Sequence, residues 1–258
     1  MNRNSIIWRL PLAQCAALVA LLFSILSTPV VAQDLDRGEI ENIVRDYLLK
    51  NPEIITEALA ELDRREKAAE EAARREVLTS SSDILYNSTR QVVLGNPTGS
   101  VTLVEFFDYN CGYCKRAYGD MVRLMEENPD LRVVLKEFPV LGQPSVEAAQ
   151  VAVAVNEVAP DKYGAFHEAL MMRRGQANRA SALEAATNAG ISEEALLEAM
   201  STDVAGQTIE EVYTLANRLG LTGTPSYVVG EEVIMGAVGY DQLSSKLTDL
   251  KNCGQTTC

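Results

Sequence analysis

The sequence predicts an α/β fold with a helical insertion, preceded by an α-helical N-terminal stalk. Strand and helix patterns follow one another over residues 91–250 in the order strand, helix, strand, helical block, two strands, helix. Before them, residues 38–76 have a helical pattern with no strand signal. With 47% hydrophobic and 23% charged residues, the chain has the composition of a globular protein and not of a disordered or multi-span membrane protein.

The start of the chain has the pattern of a secretory signal peptide. Arg3 and Arg9 precede an apolar run over residues 10–26, and small residues follow up to Ala32. We expect residues 1–32 to be cleaved off after Ala32 and the protein to be exported to the periplasm. An uncleaved membrane anchor is the alternative, since the run approaches the length of a spanning helix. Cleavage removes two basic and no acidic residues, so the net charge changes from −13 to −15. We expect no binding to nucleic acid or anionic membranes.

Residues 33–82 are predicted to form a helical oligomerisation stalk and connector. Two apolar stripes have helical spacing, the first formed by Ile40, Ile43, Val44, Tyr47 and Leu48, the second by Ile55, Ala58, Leu59 and Leu62. Between them, Asn51 and Pro52 suit the N-cap and first position of a second helix. Residues 63–76 are mostly charged or alanine, as in a solvated connector. A segment this short can hardly form a stable hydrophobic core by itself, so we expect it to associate into a homo-oligomer. The alternative is that the stripes pack on the main domain of the same chain.

The main domain is predicted to span residues 83–251. Its predicted elements are strands at 91–94, 101–107 and 131–137, a helix at 111–127, a helical insertion at about 145–219, a hairpin with strands at 226–229 and 233–235, and a closing helix at 240–250. Within the insertion, a capping box over Ser181 and Glu184 and a helix start at Ser192 are predicted.

Cys111 and Cys114 form a C-x-x-C motif where an apolar strand meets a helix. Unpaired amides and the dipole at a helix N-terminus stabilise a thiolate, which predicts Cys111 as a nucleophile with a lowered pKa. Cys114 lies one turn into the helix, placed to resolve a mixed disulfide. A structural disulfide and a zinc half-site are the alternatives, but the single histidine, His167, gives no second ligand pair and is interpreted as a surface or packing residue.

Further motifs accompany the cysteine pair. Glu105 lies six residues before Cys111, residues 223–226 read Gly-Thr-Pro-Ser before a predicted strand, and residues 136–142 read Lys-Glu-Phe-Pro-Val-Leu-Gly before an alanine-rich helix. Together they resemble the DsbA-like branch of the thioredoxin superfamily over residues 91–250. The resemblance implies a thioredoxin fold and thiol–disulfide oxidoreductase activity. It implies a redox-active disulfide between the two cysteines, with no bound cofactor or metal.

The resemblance also implies roles for single residues. Glu105 would be a buried acid that helps to move the proton of Cys114, with a pKa raised by burial; an exposed glutamate at a strand end is the alternative. Thr224 and Pro225 would form a cis-proline loop whose main chain holds an extended client peptide. An ordinary trans proline in a turn is the alternative.

Gly112 and Tyr113 complete the predicted client-binding residues. Strongly oxidising members of the branch have a histidine where Tyr113 stands, and a tyrosine brings no positive charge to the thiolate. We therefore expect a less depressed Cys111 pKa and a less oxidising disulfide.

Residues 43–66, IVRDYLLKNPEIITEALAELDRRE, resemble the N-terminal stalk of the ScsC (suppressor of copper sensitivity) type. This resemblance implies a trimer with disulfide isomerase activity on misoxidised exported clients, served by a membrane redox partner. Two alternatives remain open at this point: a dithiol oxidase, and a copper-binding or copper-relay protein in which Cys111 and Cys114 ligate monovalent copper.

A polar tail at residues 252–258 carries Cys253 and Cys258. Disulfides persist outside the cytosol, so a tail disulfide is expected. A second redox pair or a soft-metal ligand pair is the alternative.

Overall fold

A computed structural model describes residues 36–258, so the predicted signal peptide lies outside the described residues. The chain divides into two compact units, one that ends at Asp63 and one that comprises Arg64–Cys258. Within residues 36–258, no helix combines the length and the apolar character that crossing a membrane requires.

The first unit is helical, as the apolar repeat predicts. It contains α1 (Arg37–Lys50) and the start of α2 (Glu53–Ser80). Asn51 caps the end of α1 and does not start α2, because its backbone N–H and its side-chain Nδ2 both donate to the Tyr47 carbonyl at 2.9 Å. The predicted N-cap role of Asn51 is therefore wrong.

Both predicted apolar stripes of the first unit are largely exposed to solvent in the single chain, and only Leu48 is half-buried. No residue of α1 is buried. The exposed apolar side chains are Ile40, Ile43, Val44, Tyr47, Leu49, Ile55, Leu59 and Leu62. Exposed apolar surface of this extent on two consecutive helices is unusual for a monomeric protein.

The second unit contains the remaining elements. They are α3 (Ser82–Asn87), β1 (Val92–Gly95), β2 (Val101–Phe107), α4 (Gly112–Glu127), β3 (Leu131–Glu137), α5 (Gln143–Val158), a 3-10 turn (Pro160–Lys162), α6 (Tyr163–Met171), α7 (Arg179–Asn188), α8 (Glu193–Met200), α9 (Val204–Arg218), β4 (Ser226–Val229), β5 (Glu232–Met235) and α10 (Tyr240–Cys253). This is a thioredoxin fold in which α5–α9 form the helical insertion.

The five strands form one mixed sheet in the order β1-β3-β2-β4-β5. β2 and β3 are parallel, and the other neighbouring pairs are antiparallel. Side chains alternate between the two faces of a strand, so β2 supplies both cores. Leu103 and Phe107 lie in the cluster that contains both catalytic-motif cysteines. Val104 and Phe106 lie in a second cluster on the opposite face, together with Leu78 of α2.

The structure differs from the sequence prediction in two local details. The capping box is one turn earlier than predicted: Asn178 is the N-cap of α7, its Oδ1 accepts from the Ser181 N–H at 3.0 Å, and its own N–H donates to Ser181 Oγ at 2.9 Å. Asparagine is as favourable an N-cap residue as serine, so Asn178 and Ser181, three residues apart, both fit the N-cap position on sequence grounds. Leu78, inside the predicted connector, is buried in the second core cluster. The predicted start of α8 after Ser192 is confirmed.

Candidate active site

The two cysteines of the C-x-x-C motif lie at the N-terminus of α4. Cys111 is the N-cap residue, and its carbonyl accepts from the Lys115 N–H at 3.0 Å. Cys114 is one turn further and fully buried, whereas Cys111 is 6% exposed. Both thiols are free. Cys111 is therefore the more accessible of the two cysteines, although both are largely covered.

The pKa of Cys111 is lowered from 9.0 to about 5. The largest cause is a hydrogen bond from the Cys114 thiol, followed in the same direction by Thr224 and by the backbone amides of Cys114 and Tyr113, while burial opposes them. The helix N-terminus thus stabilises a thiolate without a histidine at position 113.

Cys114 has the opposite electrostatics. Its pKa is raised, first because it donates its hydrogen bond to Cys111, and then by burial and by the charge of Glu105. At neutral pH the pair is therefore a thiolate at Cys111 and a thiol at Cys114. Cys114 can act as a second nucleophile only when a base accepts its proton.

Glu105 is the buried carboxyl group whose charge contributes to the raised pKa of Cys114. It is 2% exposed on β2, and burial, with a smaller effect of the charge on Cys111, raises its pKa to about 8. A carboxyl group with such a pKa exchanges protons near neutral pH. Glu105 lies inside the domain, not at an exposed strand end.

Sequence reasoning missed the polar neighbour of Glu105. Across the strands, Glu105 is opposite Leu135 on one side and Tyr227 on the other. Tyr227 is 2% exposed, and its pKa is raised by burial and then by Glu105 and Cys114. Its phenol is thus neutral, and the register of β2 and β4 places Tyr227 opposite the buried acid, which the strand pattern of residues 226–229 does not reveal.

The Thr224–Pro225 peptide bond is cis, as predicted. When Cys111 is protonated, its thiol donates to the Thr224 carbonyl at 3.1 Å, so this loop lies directly against the Cys111 sulfur. Ser226 Oγ donates back to the Gly223 carbonyl at 2.7 Å and closes the turn. The main chain of residue 224 is therefore a direct neighbour of the Cys111 sulfur.

The turn before Cys111 is held to the helical insertion by side-chain hydrogen bonds. Asp108 is 1% exposed, and its carboxylate accepts from the N–H of Asn110 at 2.7 Å, from Ser145 Oγ at 2.8 Å and from the N–H of Leu141 at 2.9 Å. Asn110 in turn accepts from the Ala177 N–H at 2.7 Å and donates to the Ala177 carbonyl at 2.9 Å. These contacts join residues far apart in sequence, so periodicity could not predict them.

Beneath the turn lies a buried polar cluster. Tyr109 Oη contacts Tyr163 Oη at 3.1 Å and His167 Nδ1 at 3.0 Å, and Tyr163 donates to Glu137 at 2.7 Å. His167 is fully buried, with a pKa lowered to about 3 by burial, so it is neutral. The packing role predicted for His167 agrees with this position.

The predicted client-binding residues Gly112 and Tyr113 are at the surface, and Tyr113 is 61% exposed. The Arg116 guanidinium lies over the Tyr113 ring, 4.2 Å from its centroid. Tyr113 itself brings no charge, but its ring holds a cation beside the cysteine turn.

The predicted tail disulfide is present between Cys253 and Cys258. Both residues are exposed. Among the described residues, no group of three or more His, Cys, Asp or Glu side chains is arranged to hold a metal ion. Cys111 and Cys114 are two thiol ligands without a third partner of this kind.

The lowered pKa predicts a pH profile for alkylation of Cys111. Only the thiolate reacts, so the rate constant with iodoacetamide should rise about tenfold per pH unit at acidic pH and level off above a midpoint near pH 5. Stopped-flow measurement on the reduced protein checks this, with the Cys111→Ser variant as the blank. A midpoint near 9.0 would contradict the proposed stabilisation of the thiolate.

Comparison with known proteins matches this chain to two families. Residues 102–248 match the DSBA-like thioredoxin domain. Residues 36–69 match the N-terminal domain of the copper resistance protein ScsC.

Three relatives illustrate the similarity. A thioredoxin-like oxidoreductase from Silicibacter pomeroyi DSS-3 is 41% identical, with 66% of this chain and 96% of that one covered and a TM-score of 0.62. ScsC of Proteus mirabilis in a transitional conformation is 34% identical over 84% of this chain and 95% of that one, with a TM-score of 0.62. Disulfide bond formation protein D of Bacillus subtilis (strain 168) is 25% identical over 167 residues, which are 61% of this chain and 75% of that protein.

Proposed function

The chain belongs to the family of DSBA-like thioredoxin domains and has an ScsC-type N-terminal domain, and from that premise we propose that this thiol–disulfide oxidoreductase is a periplasmic disulfide isomerase. Its clients are misoxidised exported proteins. The observation that carries the thiol–disulfide exchange chemistry of the proposal is the pair of cysteines at the N-terminus of α4, with a stabilised thiolate at Cys111 beside the buried, protonated thiol of Cys114.

The first step is attack by the Cys111 thiolate on one sulfur of a client disulfide. A disulfide between Cys111 and the client forms, and the other client sulfur leaves as a thiolate. The Thr224 carbonyl, 3.1 Å from Cys111 Sγ, lies where the client main chain must pass. Tyr113 and the cis-proline loop hold the client strand during this step.

The mixed disulfide then has two outcomes. A different client thiolate can attack the client sulfur, which forms a new client disulfide and returns Cys111 as a thiolate, with no net oxidation. Alternatively, Glu105 accepts the Cys114 proton and Cys114 attacks Cys111 Sγ, which releases a reduced client and leaves the Cys111–Cys114 disulfide. A membrane redox partner must then reduce that disulfide. The same chemistry run from the oxidised pair would make the protein a dithiol oxidase.

Two features support the isomerase direction and the periplasmic location. The exposed apolar stripes on α1 and α2 suit a homo-oligomer that presents several active sites to one client, and the resemblance to the ScsC type implies a trimer. The tail disulfide and the signal-peptide pattern of residues 1–32 suit an oxidising compartment.

The experiment that tests the activity compares two assays of the mature chain. We expect the reduced protein to reactivate a test enzyme with scrambled disulfides. Rapid oxidation of reduced test enzyme with no reactivation of the scrambled form would sink the isomerase proposal and leave the oxidase. Failure in both assays would overturn the oxidoreductase function itself.

Polar substitutions in the exposed apolar stripes of α1 and α2 test whether these stripes hold a homo-oligomer together. We expect the triple variant Ile43→Ser, Tyr47→Ser, Leu59→Ser to sediment as a monomer, because it removes three side chains that are each more than half exposed. Its rate with a small disulfide should stay unchanged, while reactivation of the scrambled enzyme falls. The matched control is Asp46→Ser with Glu57→Ser, two exposed polar residues of the same helices. A wild-type monomer in analytical ultracentrifugation would contradict the proposal.

A further inference from the structure

Four segments surround the opening above Cys111, and we call them the rim. They are residues 112–116 at the start of α4, residues 139–143 after β3, residues 172–177 after α6 and residues 222–225 of the cis-proline loop. Hydrogen bonds hold the last three against the cysteine turn: the Leu141 N–H donates to Asp108, Ala177 exchanges two bonds with Asn110, and the Thr224 carbonyl accepts from Cys111.

The rim has a charge opposite to that of the chain as a whole. It contains the four cations Lys115, Arg116, Arg173 and Arg174, and it contains no aspartate or glutamate. The full chain has a net charge of −13. The carboxyl groups beneath the rim, Glu105 and Asp108, are 2% and 1% exposed and do not face solvent.

Contacts within the rim distinguish fixed cations from available ones. Lys115 Nζ donates to the carbonyls of Arg173 at 2.9 Å and Gly175 at 3.3 Å, so it anchors the loop. Arg173 pairs with Glu184 at 3.1 Å, which offsets its charge. Arg116 and Arg174 are exposed, and neither forms such an ion pair with a carboxylate.

Arg116 is held close to the reactive turn. Its guanidinium stacks over Tyr113, and a Cβ built on Gly112 would lie 3.6 Å from Arg116 Nη1. In the loop after α6, Arg174 lies two residues after Met172, which is 67% exposed. Each available cation is therefore accompanied by an exposed apolar side chain, a combination suited to a polypeptide that carries negative charge.

We propose that the rim selects client disulfides whose cysteines lie in acidic peptide segments. The inference rests on the proposed function, since it names the class of client for the same site. Acidic segments are repelled by the rest of this chain but attracted at short range by Arg116 and Arg174. Basic segments are attracted to the acidic surface of the rest of the chain, but the two arginines repel them at the rim.

The test uses short cysteine peptides, each disulfide-linked to thionitrobenzoate and flanked by glutamates, by lysines or by serines. Attack of the Cys111 thiolate on the peptide sulfur forms the Cys111–peptide disulfide and releases the coloured thionitrobenzoate thiolate. At about 10 mM salt we expect the glutamate peptide to react about tenfold faster than the lysine peptide. At about 1 M salt the ratio should approach one, because screening removes the attraction.

The double variant Arg116→Gln, Arg174→Gln should reduce the low-salt ratio to below about twofold. The ratio is independent of any change in the Cys111 pKa, because both peptides react with the same thiolate. Arg75→Gln with Lys251→Gln is the control, since both residues are exposed cations of the second unit outside the rim, and it should keep the full ratio.

Equal rates for the glutamate and lysine peptides in the wild-type protein would overturn the rim proposal, and so would an unchanged ratio in the double variant. The serine peptide separates this failure from failure of the proposed function. If the serine peptide reacts while the charged peptides do not differ, only the rim proposal falls. If no peptide reacts, the oxidoreductase function falls as well.

Discussion

Replacement of Cys111 by serine abolishes thiol–disulfide exchange, with a loss of about 1,000-fold or more in rate constant. The reason is that the other reduced thiol in the described chain, Cys114, is fully buried with a raised pKa, while Cys253 and Cys258 are bonded to each other. Peptide–thionitrobenzoate exchange measures the loss. Residual exchange within tenfold of the wild-type rate would mean that Cys111 is not the nucleophile.

Two substitutions of Cys114 sharpen this result. Both remove the resolving thiol and should therefore accumulate the Cys111–client mixed disulfide, detected by mass spectrometry, with slower formation in Cys114→Ala at neutral pH. They should differ in the alkylation midpoint of Cys111, because the Cys114 thiol donates the bond that lowers its pKa most. Cys114→Ser keeps a donor and should stay near pH 5, whereas Cys114→Ala should shift the midpoint upward, towards 9.0. An unchanged midpoint in Cys114→Ala would assign the thiolate's stability to the backbone amides instead.

Replacement of Asp108 by alanine lowers the free energy of unfolding by about 3 kcal/mol. The carboxylate accepts from three donors, on Asn110, Ser145 and Leu141, and the substitution removes all three bonds and leaves the hydroxyl of the buried Ser145 without this acceptor. Urea unfolding of the reduced protein measures the loss.

The controls for Asp108 separate this mechanism from loss of charge alone. Glu157→Ala removes an exposed carboxylate from the end of α5 and should change the unfolding free energy by less than about 0.5 kcal/mol. Asp108→Asn keeps a side-chain oxygen and should give an intermediate loss. If Asp108→Ala matches Glu157→Ala, the network does not stabilise the domain.

The sequence alone predicts the order of the elements well, for a physical reason. Strands β2 and β3 are segments rich in apolar and β-branched residues whose bounds, Val101–Phe107 and Leu131–Glu137, coincide with the predicted ones. Strong local patterns of this kind need no tertiary information. The C-x-x-C motif and the Thr-Pro pair are equally local. The structure brings Cys111 and Thr224, 113 positions apart, to within hydrogen-bond distance.

What the sequence could not predict depends on long-range contacts. Asp108 and Asn110 look like ordinary turn residues, and only the folded chain brings Ser145 and Ala177 to them. Tyr227 fits a strand pattern regardless of what lies opposite, so its pairing with Glu105 required the sheet register. The competing caps at Asn178 and Ser181 differ by one helical turn, which is within the ambiguity of periodicity.

The double hydrogen bond between Asn110 and Ala177 also bears on how this active site can be transplanted or can evolve. Grafting the Cys-Gly-Tyr-Cys turn onto another scaffold would leave Asn110 and Asp108 without the partners that the insertion provides. The cysteine turn and the loop after α6 must therefore be inherited together, although 67 positions separate Asn110 from Ala177. Homologous recombination between relatives should therefore succeed when its crossover points lie outside residues 108–177 and fail more often when they lie within that interval.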